Sequence, residues 1–264
     1  MARKEQPQAQ SDPWAPTGNA PGASLRPSTL PPLLDPLDLP VSEIRVRMRS
    51  SNVDESYEAV KLIINLNGPA LKRELLLECL RSSHWQVRRS ALVELISVMG
   101  DDAVPVVQGI LQSDPEHIVR KRAAELLGRL PDKGSTELLL NAYRTGEDGL
   151  KVAAAASLYR FGSPGPAAEL LPRLAATLDS PDGDLRKDAV ERIGKLQAPI
   201  AIPALTRALR DSSGDVRAEA VTALGEIDAP EVPALLEPLL KDPYIDVRDN
   251  AKDAIEAYRK RHPK

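Results

Sequence analysis

Asp215-Val216-Arg217-Ala218-Glu219-Ala220-Val221-Thr222-Ala223-Leu224-Gly225 is the stretch that decides the fold. Val216, Ala220, Ala223, Leu224 and, just beyond, Ile227 fall at spacings of three, four and seven, which is one apolar stripe of an α-helix. Its opening, an aliphatic residue followed by a basic one, recurs at Val87-Arg88, Val119-Arg120, Leu150-Lys151, Leu185-Arg186 and Val247-Arg248. A fainter copy with the charge reversed reads Tyr57-Glu58. The successive steps are 30, 32, 31, 35, 31 and 31 residues. A period of this size is the mark of a repeat array. One such unit cannot bury its apolar face alone, so the units stack into a solenoid.

Working outward from the anchors, each unit reads as helix A, a polar turn and helix B. Pro69, Pro105, Pro172, Pro203 and Pro233 fall early in A helices, where a missing N–H removes no intrahelical bond. Pro172 lies deeper than the others, at a depth where proline kinks a helix. Asp184, Asp215 and Asp246 each precede an anchor and are expected to cap the first free backbone N–H groups. The A helices are expected near 42–49, 69–81, 102–112, 135–145, 165–178, 199–210 and 230–240. The B helices are expected near 54–66, 85–99, 116–130, 149–161, 183–195, 214–226 and 245–259. Residues 42–49 alternate apolar and basic side chains, so a short strand rivals the first A helix. Gly162-Ser163-Pro164-Gly165-Pro166 explains the long 35-residue step as an enlarged loop. The fold class is all-α: a right-handed α-solenoid of about seven helix pairs over residues 41–264.

Composition agrees. The chain is 42% apolar but only 3% aromatic, so its core is built from Ala, Leu, Val and Ile. That suits small close-packed helices better than strands, which favour aromatic and β-branched residues. Residues 1–40 are different in kind: nine of the 24 prolines fall there, among Gly, Ser, Ala and Gln. Such a segment buries too little apolar surface to offset its ordering entropy, and it is read as a disordered leader. Its end, from Leu30 to Pro40, carries five leucines and reads either as a cap on the first repeat or as a short docking motif. The start, Met1-Ala2-Arg3-Lys4-Glu5-Gln6-Pro7, has no apolar run after it and is no secretory signal. No stretch approaches the length of a membrane-spanning helix. Cys79 is the one cysteine and sits in an apolar run, which fits a buried core residue and a cytoplasmic location.

The segments Ile202–Asp211 and Asp215–Gly225 resemble HEAT repeats, most closely the short variety named after phycobilisome lyases. The likeness covers about residues 54–259 and is strongest after residue 183. It implies an Asp six residues before the Arg of helix B, and Asp114/Arg120, Asp211/Arg217 and Asp242/Arg248 keep that spacing. A ladder of alternating charge is then expected between repeats, interrupted where Ser82, Thr145 and Ser180 replace the aspartate. By resemblance, the wider family includes scaffolds, enzymes that attach or detach bilin chromophores, metal-dependent hydroxylases and DNA-repair glycosylases. The hydroxylases use His-Glu pairs as iron ligands. Here His84, His117 and His262 are the only histidines, and none is followed by Glu. A metal site needs several correctly spaced ligands, so no metal or other cofactor is expected.

Basic residues cluster at Arg81, Arg88, Arg89, Arg120, Lys121 and Arg122, with Trp85 beside them. Yet three of the 35 basic and four of the 38 acidic side chains lie in the leader, which leaves 32 against 34 in the repeats. That balance argues against nucleic acid as the partner, which stays an alternative confined to the N-terminal repeats. A chromophore-lyase-like role on a phycobiliprotein-type partner is the other alternative and rests on repeat type alone. No nucleophile–base pair or phosphate loop is present, and Gly162-Ser163-Pro164-Gly165 lacks the strand-turn-helix setting of a catalytic serine. The function read here is therefore a non-enzymatic scaffold or adaptor for a protein partner. The B helices are expected to line the concave face and to present Trp85, Arg88, Arg89, Lys121, Arg122, Glu125, Arg160, Lys187, Glu191, Glu219, Glu226, Asp249, Lys252 and Glu256. Trp85 itself reads either as a cover over the neighbouring turn or as a binding hot spot.

Overall fold

The computed structural model describes residues 40–130 and 132–263. The expectations for the leader and its leucine-rich end fall on residues 1–39, outside the described residues. The rest is an α-solenoid of seven helix pairs. The A helices are α1 (Val41–Met48), α3 (Pro69–Cys79), α5 (Val104–Ser113), α7 (Thr136–Thr145), α9 (Gly165–Ala176), α11 (Ile202–Ala208) and α13 (Val232–Leu236). The B helices are α2 (Val53–Asn65), α4 (Trp85–Met99), α6 (His117–Leu127), α8 (Asp148–Arg160), α10 (Gly183–Gly194), α12 (Gly214–Gly225) and α14 (Ile245–Arg261). No strand occurs among the described residues. The rival strand at 42–49 is a helix, and its Ile44 is fully buried in one core cluster with Val60, Leu76 and Val87.

The prolines act as their backbone chemistry requires. Pro69, Pro105, Pro203 and Pro233 occupy first turns. Pro172 lies inside α9, which continues through it to Ala176. The last A helix is shorter than expected: α13 ends at Leu236 and a 3-10 segment follows from Glu237 to Lys241. Pro238 has no N–H to give the α-helical ladder, so the chain tightens there.

The capping expectation needs correction. Asp184, Asp215 and Asp246 lie inside the first turns of their helices, and the cap positions are Asp182, Ser213 and Tyr244. The carboxylate that serves each turn stands earlier in sequence. Asp211 Oδ1 accepts from Ser213 N at 2.8 Å, and Asp242 Oδ1 accepts from Tyr244 N at 2.9 Å. These turn aspartates are also the rungs of the expected ladder, and each is gripped by the arginine of the repeat before it. Arg88 donates to Asp114 at 2.8 and 2.9 Å, Arg186 to Asp211 at 2.7 and 2.8 Å, and Arg217 to Asp242 at 2.8 Å through both nitrogens. The third arginine nitrogen donates back to its own turn: Arg217 Nη1 reaches the Asp211 carbonyl at 2.8 Å, and Arg248 Nη1 the Asp242 carbonyl at 2.7 Å. Arg88, Arg186 and Arg217 thus each close their own turn and clamp the next repeat with a two-point, charge-assisted contact. The ladder breaks at the fourth repeat, where Thr145 replaces the aspartate and Arg120 turns to the exposed Glu147.

The first repeat keeps the geometry without the charge. Ser56 is fully buried, and its hydroxyl donates to the carbonyls of Arg47 and Ser50 at 3.2 and 3.0 Å. It stands in the arginine position, six residues after the carbonyl it reaches, as Arg217 does. The repeat copy is therefore Glu55-Ser56; Tyr57, expected as the buried anchor, is 39% exposed. Leu185 is the other anchor that fails to bury, at 51% exposure.

Leu185 marks a discontinuity in the stacking of the B helices. α6 packs closely on α8, α10 on α12, and α12 on α14. At each of these junctions a glycine ends the first B helix: Gly128, Gly194 or Gly225. A Cβ at Gly194 would meet Ala223 Cβ at 2.6 Å, and one at Gly225 would meet Ala254 Cβ at 2.8 Å. In α8 the equivalent position is Tyr159, and α8 does not stack closely on α10. Instead Val152 and Ala155 of α8 pack with Ala167 and Leu170 of α9 and with Leu196 and Ala198 beyond α10. Gly128 supplies a test. Its Cβ would lie 2.9 Å from the Ser157 backbone, where nothing flexible can yield. Gly128→Ala is expected to lose about 2 kcal/mol of stability by overpacking. A urea titration showing an unchanged midpoint would contradict the close-approach account.

Candidate binding face on the B helices

α8 carries small residues where its neighbours carry long ones. Gly149, Val152, Ala153 and Ala156 form a floor, ringed by side chains of α6, of the end of α8 and of the segments that follow α6, α10 and α12. Lys121 of α6 also contributes, after Lys195, to lowering the pKa of Glu191 of α10. The resulting groove, of about 200 Å³, is lined by Lys121, Glu125, Arg129, Arg160, Lys195, Gln197 and Glu226.

Most of the charges in the groove are paired. Lys121 lies 4.0 Å from Glu125, which also accepts from Arg122 at 2.9 Å. Glu191 accepts from Lys195, and that hydrogen bond is the main reason its pKa is lowered. Gln197 spans the gap, accepting from Arg160 through Oε1 and donating to Glu226 through Nε2 at 2.8 Å. Its backbone φ is +48°, the one positive value outside glycine among the described residues. Holding a side-chain-bearing residue there costs about 1–2 kcal/mol, and such strain gathers at functional sites. Arg160 contrasts with the paired groups. Its pKa is lowered by burial first and then by the positive charge of Arg129. Glu219 of α12 is perturbed in the mirror sense: burial and then the Glu191 carboxylate raise its pKa.

A second groove, of about 460 Å³, opens at the N-terminal end between α2, α4 and α6. Tyr57, Trp85 and Val93 give it an apolar lining, and Arg89, Arg122, Asp54 and Glu94 give it charge. Trp85 is the first residue of α4 and is half-buried. Arg122 Nε is buried and has no hydrogen-bond partner. A third recess, of about 730 Å³, lies at the turns of the first two repeats, and its Arg45 is already neutralised by Glu74 and Glu78.

The structure thus brings Trp85, Arg89 and Arg122 to one groove and Lys121, Glu125, Arg160 and Glu226 to another, with Glu191, Glu219 and the exposed Lys187 alongside. Asp249 is exposed on α14, beyond both grooves. Three expected contacts are corrected. Arg88 is only 6% exposed and is committed to the ladder. Lys252 and Glu256 occupy the α14 positions that in α12 are Val221 and Gly225, which face the next B helix. They are exposed because α14 has no neighbour beyond it within the described chain, so they belong to the terminal face. The expected basic cluster does not form one patch either, since Arg88 turns into the ladder and Arg120 closes its own turn and pairs with Glu147. Sequence reasoning missed Tyr57, Arg129, Lys195 and Gln197. Arg129 sits at the same helical position as Arg160, and that periodicity was a usable signal; the positive φ of Gln197 had none.

Cys79 is 2% exposed, and burial pushes its thiol up to about 12, which leaves no thiolate for nucleophilic chemistry. Among the described residues no group of three or more His, Cys, Asp or Glu side chains is placed to hold a metal ion. No described helix is long and apolar enough to cross a membrane.

A family model for HEAT repeats matches residues 41–127, 110–177 and 171–256. No curated protein matches the chain. Among solved structures, the complex of CpcE and CpcF of phycocyanin lyase from Nostoc is 20% identical, with 90% of this chain and 100% of that one covered and a TM-score of 0.45. Human deoxyhypusine hydroxylase in complex with glycerol is 19% identical, with 83% and 96% covered and a TM-score of 0.40. Neither likeness bears on chemistry at these values.

Proposed function

The chain belongs to the HEAT-repeat family, and on that premise we propose that it is a non-catalytic adaptor that receives a protein segment along the B-helix face. The observation that carries this reading is the aromatic groove. Trp85 and Tyr57 stand half-buried and exposed beside Arg89 and Arg122, and neither belongs to a hydrophobic core cluster of the solenoid. Trp, Tyr and Arg dominate binding hot spots because they bury large surfaces with little entropy loss. The unpaired Nε of Arg122 is a donor that a bound backbone carbonyl would satisfy. Carboxylates at Glu94, Glu125, Glu191 and Glu226 along the same face disfavour a nucleic-acid backbone.

The test uses the full chain to capture partners from its native host, followed by calorimetry with the partner identified. Trp85→Ala is expected to weaken that complex about 30-fold, equivalent to about 2 kcal/mol, with less than about 1 kcal/mol lost in stability. Unchanged affinity sinks the reading, and so does a variant that simply unfolds.

A further inference from the structure

The groove over α8 contains an imbalance that the fold does not need. Every carboxylate lining it has a partner: Glu125 with Arg122 and Lys121, and Glu226 with Gln197. Lys195 is held by Glu191. Two cations are left over. Arg160 donates only to the neutral amide oxygen of Gln197. Arg129 is exposed, and among the described residues its side chain makes neither a hydrogen bond nor an ion pair, its backbone N–H alone donating to the Leu126 carbonyl at 3.0 Å. The two guanidinium groups share one rim and repel each other, and Gln197 holds a strained backbone conformation while orienting one of them. Two guanidinium groups with no carboxylate hydrogen-bonded to either, above a floor of Val152, Ala153 and Ala156, describe an anion site with a small apolar shelf, with Glu125 acting on Arg160 only through space.

We propose that this groove recognises a carboxylate: Arg129 and Arg160 together take an aspartate or glutamate side chain of an extended partner segment, whose neighbouring small apolar residue rests on the α8 floor. The inference rests on the reading that the B-helix face receives a protein. A side-chain carboxylate suits the site better than a phosphate chain. A polyanion running through the groove would next meet Glu125, Glu191 and Glu226, whereas a peptide presents one negative group and then changes sign.

The test is nuclear magnetic resonance of the full chain, read at the arginine Nε–H signals. The probe is an acetylated, amidated tetrapeptide, Ala-Glu-Ala-Ala, with Ala-Gln-Ala-Ala as its uncharged control. Saturable shifts at Arg129 and Arg160 are expected with the glutamate peptide, at least tenfold weaker with the glutamine peptide. Arg129→Gln and R160Q should each reduce the glutamate response at least fivefold. Because Arg129 is exposed and unbonded, its variant keeps the fold even if R160Q disturbs Gln197. The inference is overturned by equal responses to the two peptides, by no saturable response, or by tighter binding of inorganic phosphate or a thymidine oligonucleotide at the same signals. The adaptor reading fails separately. If Trp85→Ala leaves partner binding untouched while the glutamate peptide saturates the groove, the aromatic anchor is wrong and the carboxylate site stands. If Trp85→Ala weakens the partner and the peptide does nothing, only the carboxylate site falls.

Discussion

Asp242→Ala is expected to lower stability by about 3 kcal/mol at neutral pH, through loss of the last rung of the ladder. Removing one member of a buried, hydrogen-bonded ion pair strands the other, and the usual penalty is about 3–5 kcal/mol. Arg217 would lose both of its contacts to the carboxylate at 2.8 Å, and Tyr244 N would lose its acceptor. The lower end of that range applies because the pair lies near the surface of the turn, with Tyr244 stacked 5.2 Å from the Arg217 guanidinium. The effect should also depend on pH with a defined sign. The hydrogen bonds from Arg217 are the main reason the Asp242 carboxyl sits below its ordinary value. A depressed carboxyl contributes stability above its unfolded pKa, near 3.9, and loses it as pH falls through the lower folded value. The gap between parent and variant should therefore be full at pH 7 and shrink below about pH 4. Urea titrations at both pH values measure it, and hydrogen exchange should show α14 losing protection first, since each repeat leans only on its neighbours. As a control, Asp148→Ala removes an exposed contact at 3.4 Å and should change stability by less than about 0.5 kcal/mol. A gap that persists undiminished at low pH would rule out the ionic account.

Leu224→Ala is expected to cost about 3–4 kcal/mol. Leu224 is fully buried in α12, in a cluster that joins Val190 and Ile193 of α10 to Val247 and Ala251 of α14. A central B helix is wedged between two others, so the site cannot collapse to fill the void, and the cavity term adds to the transfer term. Val216→Ala, one turn from the helix start and also fully buried, should lose less, about 2 kcal/mol, because fewer methyl groups leave. An array need not unfold in one step, so far-ultraviolet dichroism should be compared with exchange at α10 and α14. Two variants that melt like the parent would mean the stripe from Val216 to Ile227 is not core.

Much of this protein was legible before any coordinates. The aliphatic-basic dipeptide gave the number of repeats and the starts of the B helices, because a repeat must bury the same stripe each time it is stacked. Prolines placed the A helices because proline is tolerated in so few helical positions. The Asp–Arg spacing announced a ladder, though not that each aspartate is gripped by the preceding repeat's arginine. The same spacing hid two errors. Tyr57 looked like an anchor because it stands 30 residues before Val87, but Ser56 holds the turn by reaching the same backbone carbonyl an arginine would. Arg88 looked like a surface contact because it is charged, but its pairing with Asp114 crosses 26 residues of chain and closes only when repeats stack.

The sequence by itself determined the unit, its period and its apolar stripe, since these follow from helical periodicity and from the backbone limits of proline. Only the tertiary structure decided how neighbouring units meet. A glycine at the end of α6, α10 and α12 lets the next B helix approach, whereas Tyr159 stands at that position in α8, which does not stack closely on α10, and the charged groove over α8 lies at that step. Which charges are spent inside the ladder and which are left facing the groove is likewise a matter of distance between repeats, because a carboxylate is neutralised only by the cation that packing brings to it.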